Sequence, residues 1–210
     1  DRHLLETSLC DFSDPRISAI VKDIEGSIPT TNGRLNATYD YIRQNIKYGF
    51  DIWPRKASET VDLGYGMCFN KTNLMIAILR SLGIPSQYCV IWIRREAFVH
   101  TIGLELLSKV QPETVHVYGE AYDEGLKEWR VLIDTSIDVK LRRVLDRLGH
   151  DPNQHIITAK PITRFFTPEE ILEARKRYKK LIGAEDVITP ADMERMNKKL
   201  EDLRNKINKF

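Results

Sequence analysis

Apolar positions recur every three or four residues along the chain as far as Pro85, and nearer every two residues from there to about Ile133. Ser13-Asp14-Pro15 has the polar cap and proline of a helix start, and Ile17, Ile20, Val21 and Ile24 follow at helical spacing. After a loop from Gly26 to Gly33, the positions Leu35, Tyr39, Ile42 and Ile46 predict a second helix from Arg34 to about Lys47. Tyr48 to Ser58 reads as a loop holding Trp53-Pro54, and Lys56 to Val61 as a short helical turn. Leu74, Ile78 and Leu82 then mark one face of a third helix. That helix opens near Cys68, after the turn glycines Gly64 and Gly66, and ends at Gly83-Ile84-Pro85.

Past Pro85 the pattern turns β-like. Gln87 to Ile93, rich in Tyr, Val, Ile and Trp, predicts a strand; 98 to 106 predicts a second, Thr114 to Tyr122 a third, and Glu128 to Ile133 a fourth. Short turns at 109–113 and at Asp123-Glu124-Gly125 separate them, so the sheet is expected to be antiparallel and the class α+β. Val139 to Leu148 suits a helix, and His150 to Pro161 an irregular loop. Thr167-Pro168-Glu169-Glu170 opens a helix that runs to about Ile182 and ends at Gly183. Thr189-Pro190 opens the last one. Its apolar residues Met193, Met196, Leu200, Leu203 and Ile207 form a short 3,4 seam, which suits either a helix packed on its own domain or a dimer contact. The expected organisation is a catalytic domain over 1–165, with its core at 35–137, and a helical extension over 166–210 packed on it.

Composition narrows the partners. With 42% hydrophobic and 30% charged residues over 210 positions, the chain has room for one full core plus a helical appendage. A net charge of +2, with no stretch interleaving basic and aromatic residues, predicts no nucleic-acid partner. No apolar run approaches the roughly 20 residues that cross a bilayer, and no signal-peptide pattern opens the chain, so no membrane partner is expected. The chain starts at Asp1 without an initiator Met, compatible with a trimmed N-terminus. Cys10, Cys68 and Cys89 are an odd, sparse set, unlike a disulfide framework, and suit a reducing, cytoplasmic setting. CxxC and HExxH are both absent, so neither a metal nor another cofactor is expected.

Cys68 carries the candidate chemistry. At a helix N-terminus the unpaired amides and the dipole favour a thiolate, so a lowered thiol pKa is expected. A nucleophilic thiol needs a base, and the base an orienting group. On the third strand His116 shares a face with Tyr118, Glu120 and Tyr122. The hairpin at 123–125 makes the next strand its neighbour, which carries Asp134 towards His116. Cys68, His116 and Asp134 therefore form a candidate triad, with Asp138 as the substitute orienter and His100 as the rival base. Cys89 reads as core, and His3, His150 and His155 as surface. Tyr48 is a candidate second oxyanion donor beside the Cys68 amide; Tyr65 and Trp53 are candidate cleft residues.

Three segments in this order resemble the transglutaminase-like superfamily: Gly64-Tyr65-Gly66-Met67-Cys68-Phe69 with its Leu79-to-Pro85 helix end, Val115 to Tyr122, and Trp129 to Thr135. The likeness covers about 35–137. It implies a papain-like core, with the nucleophile helix packed on an antiparallel sheet, and thiol-based acyl transfer on a peptide, protein or acyl-thioester substrate. Met67 and Phe69 stand where the animal cross-linking enzymes of that family carry Gln and Trp, and an acidic calcium loop is missing, so the stand-alone microbial members are the better match. The alternative is a catalytically silent scaffold of the same fold that binds a protein partner.

Overall fold

The computed structural model describes residues 1–158, 160–182 and 188–206, without the side chains of 133, 134 and 178–182. Helices come first: α1 (Pro15–Ser27) and α2 (Thr31–Asn45), then the two-residue β1 (Lys47–Tyr48), α3 (Ala57–Leu63), β2 (Tyr65–Gly66) and α4 (Cys68–Ser81). Next come β3 (Ser86–Arg94), the short α5 (Val99–Ile102) and α6 (Leu104–Leu107), and the long strand β4 (Glu113–Asp123). The chain closes with β5 (Glu128–Leu132), α7 (Val139–Arg147), β6 (Thr163–Phe165), α8 (Pro168–Ile182) and α9 (Pro190–Asn205). This is an α+β fold whose four-stranded antiparallel sheet has the order β5-β4-β3-β6.

Local chemistry sets the boundaries. Asp14 caps α1 by accepting from the Arg16 amide, and Thr30 caps α2 by accepting from Gly33. Gly64, at φ +66°, ends α3 in the left-handed region that glycine enters without strain. Thr189 and Asp192 exchange side-chain bonds with each other's amides to start α9. β1 pairs in parallel with β2, Tyr48 opposite Gly66, which ties the Tyr48 segment to the turn before Cys68.

The main core lies between α4 and one sheet face. Leu74, Met75, Ile76, Ala77, Ile78 and Leu79 are all fully buried, and α1, α2 and α3 pack round the same helix. On β4, Gly119 faces α4 so closely that an added Cβ would lie 2.4 Å from Met75 Cε. The opposite face holds a smaller cluster of Cys89, Ile91, Ile93, Ala97 and Tyr118.

Three expectations fail. Residues 98–106 are helical, because Phe98, Ile102 and Leu106 recur at a four-residue interval and pack with Met196 of α9; Gly103, at φ +84°, breaks the stretch into α5 and α6. His150 is buried rather than on the surface: its Nε2–H donates to the Ala97 carbonyl at 3.1 Å, and its ring meets those of His100 and His155. The fourth strand of the sheet is β6, from a segment whose pattern gave no strand signal. The α9 seam packs inside the chain, with Leu200 against Tyr48, Leu141 and Leu145. Gly183 and Ile207 lie outside the described residues.

Candidate active site

Cys68 is the first residue of α4. The residues behind it are polar, wholly buried, and bonded in turn to different parts of the chain. Met67 N–H donates to Asn70 Oδ1 at 3.1 Å, and Asn70 Nδ2 donates to the Ile52 carbonyl at 2.9 Å. Lys71 Nζ donates to the Ile46 carbonyl at 2.6 Å, and Thr72 Oγ1 to the Val117 carbonyl at 3.3 Å. Asn73 Nδ2 donates to the Leu9 carbonyl at 2.8 Å, while its Oδ1 accepts from the Tyr88 hydroxyl at 2.7 Å. Gly66 lets this turn close: a Cβ there would lie 2.7 Å from Asn70 Cβ.

The sheet opens where this helix end meets it. β5 pairs with residues 119–123 of β4 only; beyond Leu132 the chain leaves the sheet in a 3-10 turn, Ile133–Ser136. His116 and Val117 lie on the stretch of β4 past that departure, and Thr72, one turn along α4 from Cys68, bonds the Val117 carbonyl there at 3.3 Å. A cavity of about 70 Å³ sits here, several times what one water needs. Cys68, His116, Tyr48 and Ser136 all line it, and Ile93, Phe98, Leu141 and Ile156 supply much of its apolar wall.

The sulfur does not behave as helix position alone predicts. Burial pushes the Cys68 thiol above its ordinary pKa, and the amides of Val117, Phe69 and Cys68 itself only partly counter this. The expected lowered pKa is therefore corrected. The dipole and amides do favour the thiolate, but removal from water outweighs them. The other cysteines are fully buried, and desolvation raises both, Cys10 to about 11.

Tyr48 is held by a buried ion pair. Its N–H donates to Asp138 Oδ2 at 2.8 Å and its carbonyl accepts from Arg204 at 2.5 Å. Arg204, on α9, also bonds Asp138 Oδ2 at 2.6 Å, and both side chains are about 5% exposed. Burial alone would raise the Asp138 carboxyl, but Arg204 and the Leu141 and Tyr48 amides hold it below the ordinary carboxylate range. Asp138 is thus committed to this clamp and to capping α7, rather than to His116. Burial and the nearby Cys68 raise the Tyr48 phenol, so it keeps its proton and can donate.

Among the remaining candidates, Asp134 sits in the turn after β5, close in sequence to the Leu132–Gly119 pairing and on the His116 side of it; its side chain lies outside the described residues. Trp53 packs on Phe69 at 5.1 Å between ring centroids, and Tyr65 lies on Gly49; neither lines the cavity. His100 sits on α5 against His150 and does not line it either. Glu120 is buried and bonded to Gln87 and Arg164. Ser136, Lys71 and the Asp138–Arg204 pair gave no sequence signal, because their roles depend on which backbone groups the fold brings to them.

The model of the transglutaminase-like superfamily matches residues 18–132, more than half of the chain. The protein belongs to that superfamily. No curated protein matches it. Among solved structures it is similar to a Cytophaga hutchinsonii protein named "putative cysteine protease", at 20% identity and a TM-score of 0.54. The match covers 80% of this chain but 47% of that one, so the chain spans about half the length of that protein. At this identity the likeness establishes the shared fold. Among the described residues, no helix is long and apolar enough to cross a membrane.

Proposed function

We propose that the protein is a thiol acyl-transfer enzyme with Cys68 as nucleophile, His116 as general base and acid, and Asp134 as the group that orients His116. The observation that carries this is the shared cavity: the first residue of the nucleophile helix and the strand histidine line one pocket.

Burial raises the Cys68 thiol, so the reaction needs a base to take its proton, and His116 is that base. The Cys68 sulfur bonds to the acyl carbon of an amide or thioester as its proton passes to His116. His116 hands that proton to the departing amine or thiolate as its bond to the acyl carbon breaks. Water or an amine then attacks the thioester and gives its proton to His116, which returns it to sulfur. The Cys68 amide, at the helix start, is one donor to the oxyanion, and the Tyr48 hydroxyl is the second.

The test is an acyl-donor screen with and without added amine. Expected are turnover that Cys68→Ala abolishes, a fall of about a thousandfold or more in His116→Ala, and a product that reports hydrolysis or amide formation. Full turnover in Cys68→Ala would refute the proposal.

A further inference from the structure

Ser136 stands at the end of the 3-10 turn after β5 and lines the cavity beside Cys68 and His116. It is 6% exposed, and its Oγ has no hydrogen-bond partner among the described residues. A buried hydroxyl left unpaired costs about 1–3 kcal/mol. Nearby Thr135 shows the usual solution, its Oγ1 donating to the Leu132 carbonyl. The walls around Ser136 are mostly apolar: Ile93, Ala97, Ile137, Leu141 and Ile156 face the same space, with Thr101 and Asn153 as uncharged polar neighbours. No Asp, Glu, Lys or Arg among the described residues lines it. A charged group would enter without a counter-ion and lose its hydration, whereas an aliphatic group would bury surface. A substrate that joins an aliphatic branch to a polar amide fits both features at once.

We infer that this cavity is the specificity pocket for the acyl donor, taking an uncharged aliphatic side group of leucine size, and that the Ser136 hydroxyl hydrogen-bonds the peptide-type amide carrying that group. The inference rests on the acyl-transfer reading for its site and adds the substrate class: amide or thioester donors with an aliphatic residue on the acyl side. Ser136 here is a binding residue, and it completes its own hydrogen bonding only when the donor is in place.

Binding can be read without chemistry. Cys68→Ala protein is titrated with the N-acetyl methylamides of leucine, glycine, lysine and glutamate, followed by NMR shifts of the cavity residues. The leucine compound is expected to bind about tenfold or more tighter than the other three. Adding Ser136→Ala should weaken it about fivefold or more, while Ser136→Thr, which keeps the hydroxyl, retains binding. The thermal midpoint of Ser136→Ala should not fall, since the free protein loses no bond. Equal binding of all four compounds, binding of none, or an unchanged affinity in Ser136→Ala would overturn the inference. A second arm exposes the wild-type protein to the matching thioesters and weighs the Cys68 adduct. Leucine-selective binding without any adduct refutes acyl transfer and leaves the pocket standing. Adducts formed at equal rates from all four donors refute the pocket and leave acyl transfer standing.

Discussion

The two halves of α4 are equally buried and are held in opposite ways. From Leu74 to Leu79 every side chain is apolar and packs into the main core. From Asn70 to Asn73 every side chain is polar, and each bonds a different strand or loop at 2.6–3.3 Å. Apolar packing is non-directional and tolerates small shifts, whereas a side chain bonded to a backbone carbonyl sets both distance and angle. The half that stabilises the fold is thus separate from the half that aims Cys68. Arg80 repeats the polar device at the far end, donating to the carbonyls of Leu5, Ser86 and Phe166.

The sharpest way to break this contrast is through the buried ion pair that backs the polar half. Arg204→Leu leaves the Asp138 carboxylate without its cation in a buried site, and should cost about 3–5 kcal/mol in urea unfolding. The double variant with Asp138→Leu should recover part of that loss. In the apolar half, Ile78→Ala should cost about 2–5 kcal/mol. Turnover per folded molecule should nonetheless stay within about twofold, because no aiming bond is lost. Asn70→Ala should cost less, about 1–3 kcal/mol, since the Met67 amide and Ile52 carbonyl lose their partner. Its turnover per folded molecule should drop about tenfold or more as the first turn loosens. A variant in the apolar half that damages turnover more than Asn70→Ala would reverse the assignment.

A pH slope adds to these. Burial drops Lys71 from its ordinary range to about 7, with Asp138 opposing and Arg204 and Arg43 reinforcing the shift. Between that value and the ordinary lysine range near 10.4, the unfolded chain binds one proton more than the folded one. Stability therefore rises with pH across this window, by up to about 1.4 kcal/mol per pH unit, and the gain is absent below it. Urea unfolding of wild type and Lys71→Met at pH 6, 7.5 and 9 should show the slope in the first and its loss in the second.

Periodicity was enough to find α1, α2, α4, the three long strands and the caps of α8 and α9, because each depends on neighbours in the sequence. It misread 98–106, where the four-residue recurrence of Phe98, Ile102 and Leu106 is interrupted by Gly103. It missed β6, a three-residue strand defined by its pairing with β3. At the site, Cys68 and His116 were legible from motif and order, and both line the cavity. Tyr65 and Trp53, read as cleft residues from their nearness in sequence, pack elsewhere. The direction of the thiol's pKa shift was misjudged because a helix start is visible in sequence and desolvation is not. Ser136 was invisible for a similar reason: an unpaired hydroxyl is defined by what surrounds it.

The central claim is that Cys68 is the nucleophile and that His116 takes its proton. Site-resolved alkylation by iodoacetamide at pH 7.5 tests it most directly. The predicted result is modification of Cys68 about tenfold or more faster than of the fully buried Cys10 and Cys89, with a fall of similar size for Cys68 in His116→Ala. Equal, slow modification of all three thiols, unchanged by His116→Ala, would contradict it.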